Sequence, residues 1–94
     1  IEIDEPAADL GVVAAIASSF RNLEVPPETA VFGEVGLTGE IRGVLQAQAR
    51  AREAQTLGFK KLILPESNKK GLEKLLGIRV VGVRTLEDAI AELF

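Results

Sequence analysis

The sequence predicts a single small α/β domain, two layers deep, with helices packed on a sheet. Apolar, β-branched runs of strand length, "KKLILP" and "IRVVGV", alternate with segments of helical periodicity. Gly58 and Gly77 stand just past two of those helical segments, where a helix C-terminus favours glycine. The chain has 94 residues, 47% hydrophobic and 27% charged, enough for one core and an ordinary globular balance.

The elements follow in order. "IEID" at residues 1–4 reads as the end of a strand, and a chain opening there without Met reads as a fragment of a longer protein. "DEPAADLGVVAAIASSF" predicts a helix, with Asp4 as N-cap, Pro6 in the first turn and Asp9 complementing the helix dipole. Leu10 to Ala17 is apolar or Gly throughout, so this helix is expected to be central and buried on most sides. "NLEVPPET" is a loop, because Pro26 and Pro27 bar both helix and central strand. "AVFGEVGL" and "GEIRGV" predict two short strands. A helix starts near Val44 or Leu45 with Val44, Ala47, Ala51, Ala54 and Leu57 in one apolar stripe. "KKLILP" is a strand. Asn68 caps a short helix holding Leu72, Leu75 and Leu76. "IRVVGV" is a strand, and Thr85 with Asp88 starts a terminal helix, Leu86 to Leu93. The four phenylalanines, Phe20, Phe32, Phe59 and Phe94, are expected in the core.

Composition excludes several chemistries. The chain has no cysteine and no histidine, which removes disulfides, the usual zinc ligands and the common His-based nucleophile activation. No apolar run approaches membrane-spanning length. The glycine-rich "GEVGLTGEIRG", Gly33 to Gly43, lacks the Gly-Lys-Ser/Thr of a phosphate loop and the G-x-G of a dinucleotide fingerprint. Gly36, Thr38 and Gly39 read instead as a tight hairpin, and Gly33 as a bulge or a close backbone approach. Charge is segregated. Residues 1–40 carry eight acids against Arg21 alone, and residues 41–84 carry ten cations against Glu53, Glu66 and Glu73.

"DEPAADLGVVAAIASSF", "VPPETAVFGEVGLTGEIRGV", "REAQTLGFKKLILPESN" and "VVGVRTLEDAI" occur in this order, and with them the chain resembles the C-terminal domain of the bacterial RadA (Sms) family of DNA repair proteins. That domain is similar to the proteolytic domain of Lon proteases, of the ribosomal protein S5 domain 2 type. The resemblance implies that residues 1–94 are one N-terminally truncated Lon-like domain. It implies a parent protein with a zinc motif and a RecA-like ATPase domain, so that ATP, Mg and Zn belong outside this chain and no cofactor belongs within it. It also implies a cytoplasmic protein without membrane contact, assembly into a ring that is a hexamer in the full protein, and DNA as partner during recombinational branch migration.

Lon-type proteases use a Ser-Lys dyad. The serine position is occupied here by Ala7 and the lysine position by Gln48. Ala has no nucleophilic atom and Gln cannot take up a proton, so no catalytic residue is expected. Arg50, Arg52, Lys60, Lys61, Lys69, Lys70 and Lys74 are the candidates for sequence-independent contact with a phosphate backbone, since the chain has no Trp or Tyr for base stacking. A generic α/β protein-interaction module and, against the dyad positions, an active Ser-Lys peptidase are the alternatives.

Overall fold

The computed structural model describes residues 5–75 and 77–94. The expected strand end at residues 1–4, the Asp4 cap and the place of Leu76 in the short helix lie outside the described residues. A short 3-10 turn, Pro6–Ala8, leads into α1, Asp9–Arg21. Then come β1, Thr29–Val31; β2, Glu34–Val35; β3, Ile41–Arg42; α2, Ala47–Thr56; β4, Lys61–Pro65; α3, Glu66–Lys69; β5, Arg79–Val83; and α4, Leu86–Leu93. The strands β1-β4-β5 form a parallel sheet in that order, and β2 and β3 form a separate antiparallel hairpin.

Adjacent residues of β4 point to opposite faces, and each face has its own core. Ile63 packs with Leu10 and Ala14 of α1, Ile41, Val83, and Ala89 and Leu93 of α4. Leu62 and Leu64 pack with Phe32, Ala51 and Ala54 of α2, Leu72 and Ile78. The α/β class expected from the sequence is present. α2 and the β4-to-β5 return pack on one face of the sheet, while α1, α4 and the hairpin residues Val35 and Ile41 pack on the other.

Several element-level expectations are corrected. α1 is not buried all round: Leu10 and Ala14 are buried, but Val12, Ile16 and Phe20, spaced four apart, are 37%, 54% and 89% exposed. A three-stranded sheet offers α1 one side only, which it shares with α4. Phe20 is therefore a surface residue, whereas Phe32 is buried and Phe59 and Phe94 pack at the margins of the two cores. The run expected as one strand, residues 30–37, divides into β1 and β2 at Gly33. The Gly33 N–H donates to Ala7 O at 2.8 Å and its carbonyl accepts from Leu10 N–H at 3.0 Å. A Cβ there would stand 3.1 Å from Ile41 Cγ2, so the expected close approach is real.

α2 begins at Ala47 rather than Val44, because Gln46 takes a left-handed conformation, φ 60°. Its stripe holds through Ala51 and Ala54, but Leu57 turns out to solvent. Asn68 does not cap a helix; Pro65 stands at the N-cap of α3, and Gly71, φ +86°, turns the chain soon after Lys69. The Asn68 side chain instead accepts from Val44 N–H at 2.8 Å and donates to Val44 O at 3.1 Å, clamping the β3–α2 loop. Thr85 caps α4 as expected, its hydroxyl accepting from Asp88 N–H at 3.1 Å.

Candidate functional site: a cleft beside Ala7

Ala7 is 2% exposed. Its place is fixed from both sides. The Glu5 carboxylate accepts from Ala7 N–H at 3.3 Å, and the Ala7 carbonyl accepts from Gly33 N–H. Asp9 then ties the start of α1 to the hairpin by accepting from Val35 N–H at 3.2 Å. Ala7 lines a cavity of about 420 Å³ with Glu5, Pro6, Glu34, the loop Gly43 to Gln46, and Arg50 of α2. Arg50 closes one side: its guanidinium donates to Glu5 Oε1 at 2.8 Å and to Leu45 O at 3.2 Å.

The 3-10 turn and α2, which carry Ala7 and Gln48, thus meet across one cleft. The α2 side chain that reaches the turn is Arg50. Gln48 is exposed and is absent from the cleft lining. What the cleft presents to a ligand is a methyl group at Ala7, two carboxylates and a guanidinium already paired with one of them. Ser18 and Ser19 lie at the far end of α1, where the Ser18 hydroxyl donates to Leu23 O.

The hairpin beside the cleft is braced by charge. Arg42, directly opposite Glu34 in the register, bonds Glu34 Oε1 at 3.4 Å and Glu40 Oε2 at 2.9 Å. Glu40 Oε1 also accepts from the Thr38 hydroxyl at 2.7 Å and from Thr38 N–H at 3.1 Å. The bond from the Thr38 hydroxyl first, with the backbone bonds and Arg42, pulls the Glu40 carboxyl down to about 2. A carboxyl depressed in the folded state supports structure above its unfolded pKa, and that support is lost as pH falls through the folded value. The turn is therefore expected to keep its order down to pH 4.5 and to loosen between there and about pH 2. The Thr38 amide proton, followed by NMR through this range, should report it; a titration midpoint near 4.5 would show that the brace is absent in solution.

The candidate cations fall into three groups. Lys60 and Lys61 stand at the N-terminal end of the parallel sheet, beside Arg79, and Lys61 is committed to Glu92 at 3.2 Å. Arg50 is committed to Glu5, while Arg52 is exposed on α2. Lys69, Lys70 and Lys74 lie on the return from β4 to β5. Among the described residues, Arg52, Lys60, Lys69, Lys70 and Lys74 have no ion pair. The core shared by α2, Leu72 and Leu75 puts Arg50, Arg52, Lys69, Lys70 and Lys74, with the acids Glu53 and Glu73, in the layer on one face of the sheet. The opposite layer carries Asp9, Glu87, Asp88 and Glu92 against Arg21. The charge segregation along the sequence thus becomes a difference between two sides of the domain.

The Glu5–Arg50 pair was not legible in sequence, since 45 residues separate the partners. The Glu34–Arg42 pair follows directly from the hairpin register. Among the described residues no group of acids could hold a metal ion, and no helix is long and apolar enough to cross a membrane.

The cleft thus joins the start of α1, the hairpin and α2 around the buried Ala7. The chain belongs to the Lon protease (S16) C-terminal proteolytic domain family, whose profile matches residues 1–91. Among characterised proteins it is similar to the DNA repair protein RadA: 48% identical to that of Halalkalibacterium halodurans over 90 residues, 96% of this chain. It is 47% identical to RadA of Bacillus subtilis over 90 residues, and 44% to RadA of Streptococcus pyogenes over 94. The resemblance to a RadA C-terminal Lon-like domain is thereby borne out. The chain spans about one fifth of the length of these relatives: 20%, 20% and 21%.

Proposed function

We propose that this chain is the non-proteolytic Lon-like module of a RadA-type DNA repair protein. In that reading the module helps assemble subunits and offers a sequence-independent contact to DNA. Its parent, a cytoplasmic DNA-dependent ATPase, drives branch migration during recombinational repair, with ATP, Mg and Zn held by other domains. The observation that carries the reading is the similarity to RadA proteins across nearly the whole chain, 44–48% in the relatives named. The cleft supports its non-proteolytic half. Peptide hydrolysis on this frame needs a nucleophile and a base in contact. Ala7 supplies neither, and Gln48 is exposed.

The test is direct. The parent protein should not hydrolyse casein above background, and a serine-directed fluorophosphonate should leave it unlabelled. The double variant Ala7→Ser/Gln48→Lys should also remain inactive, because a hydroxyl and an amine do not by themselves place oxyanion donors. Hydrolysis by the unmodified protein would overturn the reading in favour of a peptidase.

A further inference from the structure

Asn68 stands between two cationic segments. It precedes Lys69 and Lys70 at the start of the return to β5, and its side chain reaches 24 residues back to the loop that opens α2. There the amide oxygen accepts from Val44 N–H at 2.8 Å and the amide nitrogen donates to Val44 O at 3.1 Å. An amide that bonds both polar groups of one residue fixes its position and its orientation, since neither group can turn away without losing a bond. The approach is close. A Cβ on Gly43 would stand 2.6 Å from Ser67 Oγ and 3.4 Å from Asn68 Oδ1, so the loop lies directly against α3.

Little else orders the return in a directional way. α3 is four residues long, too short to persist on its own hydrogen bonds. Gly71 turns the chain with φ +86°. From Lys70 to Leu75 the backbone bonds are local: Leu72 N–H to Lys69 O at 2.9 Å and Leu75 N–H to Leu72 O at 3.3 Å. Leu72 packs the return onto α2, but apolar contact is non-directional. Among the described residues, the two bonds of Asn68 are the only ones between residues 66–75 and the loop 43–46. The cations on the two sides of this clamp are Arg52 on α2 and Lys69 and Lys70 beyond Asn68. None of these three has an ion pair among the described residues, whereas Arg50 is committed to Glu5. Glu53 and Glu73 share the layer, so its charge is mixed. Where the lysines stand, and not their number alone, then decides what a phosphate meets.

We propose that Asn68 is a positioning residue for DNA: it holds Lys69 and Lys70 at a set distance from the start of α2, so that they and Arg52 meet one phosphate backbone. The proposal rests on the DNA-contact reading above and names what sets the geometry of that contact. The test uses the full-length parent protein with Asn68→Ala, which removes both bonds and changes no charge. Affinity for duplex DNA at moderate salt should fall by ~10-fold, and the slope of log affinity against log salt should flatten by about 0.9 for each lysine that loses its phosphate, up to about 1.8. The variant Lys69→Ala/Lys70→Ala should do the same. Adding Asn68→Ala to it should lower affinity no further, because a positioning residue acts only through the groups it places. Wild-type affinity and slope in Asn68→Ala, beside a weakened lysine variant, overturn the proposal and leave the DNA reading intact. Additive losses overturn it as well, since they are what a general loss of stability produces. Unchanged binding by the lysine variant overturns the assignment of this segment to DNA, and the proposal with it. A further measurement needs no variant. DNA should slow amide exchange in residues 44–46 and 69–74 of the wild-type parent together, and protection of 69–74 alone overturns the coupling.

Discussion

Truncating Ile63 or Leu62 to alanine should each destabilise this domain by about 2–5 kcal/mol, the range for large-to-small changes at fully buried sites. Both residues are 0% exposed, and they anchor different cores on opposite faces of β4. The stability of a small domain is about 5–15 kcal/mol, so either change removes a large share of it. For a domain of this size each kcal/mol lowers the melting temperature by about 4–8 °C. Calorimetry of the two single variants is the measurement. The control is Phe20→Ala. A helix buried on all sides would make that substitution as costly as the other two. A surface phenylalanine should cost within about 0.5 kcal/mol of nothing. A large loss at Phe20 together with a small one at Ile63 would reverse the two-core description.

The contrast between Phe20 and Ile63 shows how far the sequence could be read. The alternation of strand and helix, the hairpin at Gly36–Gly39, the stop at Gly58 and the Thr85 cap are local matters. They depend on residues within a few positions of one another, and each stands where the pattern put it. The burial of α1 is not local. Its composition sets how much apolar surface it carries, while the width of the sheet sets how much is covered. Three strands cover one side, so Val12, Ile16 and Phe20 remain outside. Asn68 failed as a cap for a similar reason. Its side chain found a better use 24 residues away, bonding both polar groups of the Val44 backbone. The cleft was legible only in part. Motif spacing located Ala7 and α2, but the side chain that crosses between them is Arg50, whose partner Glu5 is set by tertiary packing. The charge runs were plain in sequence; that the sheet sorts them into two layers was not.

That sorting sets the second large effect. If the layer holding α2 and the β4–β5 return meets a phosphate backbone, charge reversal of Lys69, Lys70 and Lys74 to Glu should strongly weaken DNA binding by the parent protein. The three lysines have no ion pair among the described residues, and Lys70 and Lys74 are exposed, so the fold does not depend on their charge. Each phosphate neutralised contributes about 0.9 to the slope of log affinity against log salt, so losing three contacts should flatten that slope by up to about 2.7. Affinity at moderate salt should fall by about 10-fold or more, uniformly across DNA sequences, because phosphate contacts position a protein without reading bases. Sedimentation should show subunit association unchanged if these lysines meet only DNA. Binding titrations at several salt concentrations, run beside sedimentation on the same protein, separate the outcomes. A flattened slope with intact assembly assigns the segment to DNA. Loss of assembly with unchanged affinity per subunit assigns it to a neighbour's acidic layer, where Glu87 and Asp88 would be the natural counter-charges.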